Sequence, residues 1–138
     1  MKKAVSLILV CLFLLSLSSG ALAATESNAY ISRYGAQISI TSSGAVRVDF
    51  NVYGTDYMNT LGASSIVLYE NGLPVKTFSM YDPLYASSLI TTNDDWFYGH
   101  VTHSANSGST YIALVTVFAS DGTGTGTEAC YTGSIMAP

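Results

Sequence analysis

Two histidines, three aspartates and a set of aromatic rings are the side chains in this sequence that could act on something else. His100 and His103 could hold a metal or move a proton. They lie three apart in a stretch, residues 96–103, that alternates as a strand does. That spacing puts them on opposite faces, out of reach of a shared ion. Asp94, Asp95 and Asp121 offer the hard oxygen ligands calcium takes. None has the Asp-x-Asp-x-Asp-Gly spacing of a calcium loop, and Asn93-Asp94-Asp95 and Asp121-Gly122 are turn chemistry. A serine hydrolase of the strained-elbow kind needs Gly-x-Ser-x-Gly, which does not occur. Glu26, Glu70 and Glu128 are scattered, with no pattern of paired carboxylates. The alternating glycines of residues 122–126 lack the Gly-Lys-Ser/Thr of a phosphate loop. The expectation is a protein that is not an enzyme, with no cofactor and no metal.

The aromatic rings remain. The chain holds 10 Tyr and 1 Trp while only 10% of its residues are charged. Tyr53, Tyr57, Tyr69, Tyr81, Tyr85, Trp96 and Tyr98 are too many to share one core. Flat amphipathic rings outside a core stack on sugars or anchor a protein partner. Tyr81, Tyr85 and Trp96, with Asp94 and Asp95 beside them, are the candidate ligand-binding residues. The partner expected is an extracellular protein or a glycan.

The totals narrow the setting. Met1-Lys2-Lys3 is a basic head, residues 4–17 are apolar with interspersed serines, and Ala21-Leu22-Ala23 is a small-residue cleavage signal. This three-part layout predicts a signal peptide over residues 1–23, and with it a secreted protein of one domain, residues 24–138. The apolar run is short of the ~20 residues a spanning helix needs, so no stable membrane insertion is expected once it is removed. Lys2 and Lys3 leave with the signal. Arg33, Arg47 and Lys76 then stand against nine acids, a net charge of −6. Three cations make no footprint for nucleic acid. Of the 2 cysteines, Cys11 lies in the signal, so Cys130 has no internal partner. A half-buried strand thiol is the plain expectation for it; an intermolecular disulfide is the sharper one.

Strands must position whatever the rings do. Val46, Val48, Phe50 and Val52 alternate with Arg47, Asp49, Asn51 and Tyr53, a half-buried strand over residues 45–53. Ile38 and Ile40 mark a strand before it, with an extension over residues 30–34 beyond a bend at Gly35. In residues 54–62 the pattern breaks. Met58 and Leu61 lie three apart, which predicts a single helical turn in a crossover between sheets. Residues 64–70 and 73–80 read as a hairpin about Asn71-Gly72. Residues 81–95 are irregular, with a short strand about residues 88–91. Residues 96–103 and the long apolar run 108–119 are strands. Residues 121–126 read as a flexible link, and residues 127–135 as the last strand. Both alternating sets of the 108–119 run are apolar, so that strand is central.

Seven or eight short strands with turns between them predict an all-β antiparallel sandwich, with a barrel as the alternative. Gly108-Ser109-Thr110-Tyr111 resembles the Gly-x-x-Tyr that opens the sixth strand of fibronectin type III and immunoglobulin-like domains. The resemblance implies a structural role for Tyr111, its hydroxyl bonded back to the preceding corner. The paired cysteines of immunoglobulin domains, and a tryptophan in the third strand, are missing. Gly54-Thr55, Leu61-Gly62-Ala63-Ser64-Ser65-Ile66, Tyr69-Glu70-Asn71-Gly72 and Gly99-His100-Val101-Thr102 are similar to segments of small secreted proteins of Gram-positive bacteria. That resemblance implies export and a sandwich, and no activity. The reading is a secreted non-catalytic binding or interaction module, with a carbohydrate-binding module as one form of it and a small hydrolase as a remote alternative. Non-reducing electrophoresis is expected to show one monomer band; a reductant-sensitive dimer would assign Cys130 to an intermolecular bond.

Overall fold

The computed structural model describes residues 28–138. The predicted signal peptide and Cys11 lie outside them. Seven strands run in the order β1 (Ile31–Ile40), β2 (Ala45–Glu70), β3 (Leu73–Ser79), β4 (Ile90–Ser104), β5 (Thr110–Ser120), β6 (Thr125–Tyr131) and β7 (Ile135–Met136). One four-residue helix, α1 (Ala86–Leu89), precedes β4. Every pairing is antiparallel, and all seven strands belong to one curled sheet. The described residues are therefore mostly β-strand and antiparallel, as the alternation predicted.

β2 is the strand on which the others are hung. Its first half lies between β1 and β4, with Val48 opposite Ile38 on one side and Val101 on the other. Its second half lies between β3 and β5, with Ile66 opposite Phe78 and Val115. β6 and β7 extend the far side of β5. Val46, Val48, Phe50 and Val52 from the first half share one buried cluster with Ile66, Leu68, Phe78, Tyr111, Val115 and Val117 from the second. Curling the sheet lets both halves of β2 bury their apolar alternates in that one place.

Several elements differ from the sequence reading. No helical turn interrupts residues 54–62, which stay within β2. Met58 and Leu61 are both buried, as expected, but a register irregularity between Tyr53 and Met58 re-aims them rather than a helix. Both devices place residues three apart on one side, so the spacing could not separate them. β1 runs through Gly35 without a break, because nine register pairs from Ile31 to Ile40 hold it to β2. Asn93 takes a left-handed φ of 54° yet stays inside β4, so the Asn93-Asp94-Asp95 turn is a kink in a strand. The 121–126 link is a tied turn: Asp121 Oδ1 accepts from Thr123 N–H at 2.8 Å, the Thr123 hydroxyl at 2.7 Å and Gly124 N–H at 3.0 Å. The last predicted strand is two, since the Thr132 hydroxyl accepts from Ala113 N–H at 2.9 Å between β6 and β7. The Asn71-Gly72 hairpin is present, with both residues in the left-handed region at φ 49° and 84°.

Two buried details fix how the halves meet. Tyr111 is fully buried; its hydroxyl accepts from Asn106 N–H at 2.7 Å and donates to Glu70 Oε1 at 3.0 Å. The bond ties the β4–β5 corner to the end of β2. Gly99 sits opposite Phe50, and α1 closes over the same spot. A Cβ on Gly99 would lie 2.3 Å from Ser88 O and 2.6 Å from Phe50 Cζ. Both neighbours are held, one by backbone and one by the core. Gly99→Ala is expected to lower unfolding free energy by about 3 kcal/mol in urea titrations, by overpacking rather than backbone strain.

Candidate functional site

The outward residues of β1, the first half of β2 and β4 line up in rows across the sheet. Arg33, Tyr53 and Trp96 form one row; Gly35, Asn51 and Tyr98 the next; Gln37, Asp49 and His100 the third; Ser39, Arg47 and Thr102 the fourth. Strand alternation dictates this surface: with the valines of β2 committed to the core, the residues between them must face out.

The first row is a stack. The Arg33 guanidinium lies 4.1 Å from the centre of the Tyr53 ring, and the Tyr53 and Trp96 rings lie 6.3 Å apart at 22°. Tyr53 fills the space between a cation and an indole, and its own faces are taken. Trp96 is 50% exposed on β4, which pairs only with β2, so the part of its ring away from Tyr53 meets solvent.

The second and third rows form a shallow hollow of about 280 Å³, lined by Gly35, Ala36, Gln37, Asp49, Asn51 and Tyr98 among others. Gly35 carries no side chain, which opens the surface down to Asn51. Asp49 is only 6% exposed although it faces outward. Arg47 Nε donates to its two oxygens at 2.9 and 3.1 Å, and the Tyr98 hydroxyl donates to Oδ1 in a short bond. That bond draws the Tyr98 ring back over β2, leaving it 45% exposed beside the hollow. Burial raises the Asp49 pKa, but the hydrogen bonds from Arg47 and Tyr98 and the charges of Arg47 and His100 outweigh it, so the carboxyl sits below its ordinary value. The same pairing raises the pKa of Arg47.

The five candidate binding residues do not share one surface. Tyr81 is 83% exposed at the rim of a separate hollow of about 510 Å³, with Thr60, Ser64, Ile90, Phe118 and Thr127. Tyr85 packs edge-on against Phe78 at 4.9 Å and 84°, beneath the Lys76 ammonium 5.3 Å away. Asp94, in β4, pairs across to Met58 of β2, and its Oδ1 accepts from Asp95 N–H at 2.9 Å. Trp96 alone of the three rings lies on the stacked row. Asp49, Asn51 and Tyr98 alternate outward in the sequence but are not joined there, and Gly35 reads as a bend rather than as part of this face. What joins them is the β2–β4 pairing, which no local signal announces.

His100 stands on this face opposite Asp49, while His103 sits three register positions on, opposite Val46, on the other side of β4. Among the described residues no group of three His, Cys, Asp or Glu side chains converges on a metal position. Cys130 is half-buried on β6 without a disulfide among those residues, and burial raises its thiol pKa. Comparison with family models, with curated proteins and with solved structures finds no match for this chain.

A carboxyl whose pKa falls on folding adds stability that is full above its unfolded pKa, about 4, and fades as pH drops through the lower folded value. Urea midpoints are therefore expected to decline between about pH 5 and about pH 2, and less steeply in Asp49→Asn. Equal pH slopes for the two proteins would show that Asp49 is not the group responsible.

Proposed function

We propose that this protein is a secreted, non-catalytic binding module that takes glycan on the outward face of β1, β2 and β4. The observation that carries the reading is the pairing of exposed rings with fixed polar groups around an open hollow. Trp96 and Tyr98 lie two residues apart on one face of β4, about 7 Å along the strand. Asn51, Gln37 and His100 surround them with donors and acceptors. Sugars are recognised by that combination: an apolar ring face to stack on the C–H side of a pyranose, and planar polar groups for its hydroxyls.

The charged groups on this face support binding over turnover. Asp49 is engaged by Arg47 and Tyr98, so it holds a ring in place rather than exchanging a proton. Arg33 is spread over Tyr53 and stiffens the row. Rings fixed before a ligand arrives lose little freedom on binding. Export rests on the three-part N-terminus. An immunoglobulin-like or fibronectin III-like sandwich is the finer fold we assign. It is supported by the Tyr111 bond to Asn106 and by a core shared between the two halves of β2.

A glycan array and a cell-wall pulldown test the reading. Retention is expected, with Trp96→Ala weakening it at least about tenfold and Tyr81→Ala leaving it unchanged. No retention on either, or loss through Tyr81 and not Trp96, would overturn the assignment of this face.

A further inference from the structure

The second hollow, of about 510 Å³, shares no lining residue with the one on the ring-bearing face. Two rows of the sheet make its floor. Ile90, Gly62, Phe118 and Thr127 stand opposite one another across β4, β2, β5 and β6, and Thr60, Ser120 and Thr125 form the next row. Phe118 sets this place apart. It is an outward alternate of β5, between the buried Val117 and Ala119, and it lies outside the core cluster. It is nonetheless only 8% exposed. Gly62, opposite it, has no side chain, and the chain entering β4 crosses there. A Cβ on Gly62 would lie 2.0 Å from Leu89 O and 2.7 Å from Ile90 Cα. Met80 and Tyr81 add a further wall. Met80 N–H donates to Ser64 O at 3.1 Å and Asp82 N–H to Ser79 O at 3.0 Å, so the turn that carries this wall is fastened to the sheet.

We infer that this hollow binds a small, flat, uncharged molecule bearing a hydroxyl, a phenol or naphthol in kind. Its volume falls within the roughly 300–1,000 Å³ of small-molecule sites. No charged side chain lines it, so an ionic ligand would give up hydration and gain no counter-charge. Phe118, Ile90, Met80 and Tyr81 present aromatic and aliphatic surface to a flat ring, and the unbranched Met80 adapts to its outline.

The polar groups of the lining are hydroxyls. Those of Ser64 and Ser120 are committed to Thr116 O at 3.3 Å and Gly124 O at 3.1 Å. Those of Thr60, Thr125 and Thr127 bond to no other described residue and are open to a ligand's hydroxyl. Amide, carboxylate and imidazole side chains, which stand around Trp96 and Tyr98 on the other face, are missing from this lining. That difference separates the occupant from a sugar, whose many hydroxyls need such planar partners. The site is independent of the glycan reading, and Tyr81, at 83% exposure, supplies its rim rather than a platform for polysaccharide.

Equilibrium dialysis of the purified protein against 2-naphthol tests the inference. Saturable binding with a Kd below about 1 mM is expected. 2-Naphthoate, of similar shape with a carboxylate in place of the hydroxyl, is expected to bind at least about tenfold more weakly. Tyr81→Ala removes the rim ring and is expected to weaken 2-naphthol binding about tenfold. Thr127→Phe, at an exposed strand position opposite Phe118, fills the hollow and is expected to abolish binding, with an unchanged circular dichroism spectrum. Trp96→Ala is expected to bind 2-naphthol as the parent does while losing glycan, so the two sites fail separately. No saturable binding up to about 1 mM, equal affinity for 2-naphthoate, or binding that survives both Tyr81→Ala and Thr127→Phe would overturn the inference. Loss through Trp96→Ala alone would place the probe on the ring-bearing face and overturn it as well.

Discussion

A strand of 26 residues would be about 86 Å long if straight, several times the radius of gyration of about 13 Å expected for a domain of this size. β2 must therefore bend, and the rest of the molecule follows from where it does so. Register irregularities at Tyr53–Met58 and Ala63–Ser65 break its pleat twice. Gly62 lies between them, where a Cβ would come within 2.0 Å of Leu89 O, so only glycine lets α1 close over the bend. The bend belongs to the curl of a single sheet, and the hydrophobic burial of both halves of β2 is collected in one cluster.

That geometry separates two kinds of surface. Inward alternates are spent on the core, with Phe50 lying over Gly99 and Phe97 at 5.9 Å from Phe50. Outward alternates are left to differ between the halves. One half carries stacked rings, a cation and a buried carboxylate. The other carries only apolar and hydroxyl side chains. The contrast is a property of position: Arg47 and Val67 occupy outward places on the same strand, yet one is bound to Asp49 and the other lies in an uncharged row.

Local signals in the sequence were reliable where a strand stood alone. The alternation of Val46 to Tyr53, the Asn71-Gly72 turn and the apolar 108–119 run each name an element that exists, the last as β5. Signals failed where an irregularity imitated another structure. Met58 and Leu61 imitate a helical turn, and Asn93-Asp94-Asp95 imitates a loop while remaining in β4. The ring face was half legible. Trp96 lies on it, whereas Tyr81 borders another hollow and Tyr85 packs on Phe78, a separation that ring type alone does not announce. Partnership between β2 and β4 spans some fifty residues of chain, and nothing in either strand alone identifies the other.

β2 is bonded to four of the other six strands, so its backbone amides depend on partners drawn from almost the whole length of the chain. Neither half has a sheet of its own to fall back on. Loosening β1 bares one margin of the ribbon, and loosening β5 bares the continuation of that same margin, each leaving buried donors and acceptors unmatched. Such a molecule has no modular seam: it assembles late, from distant pieces at once, and comes apart as one body.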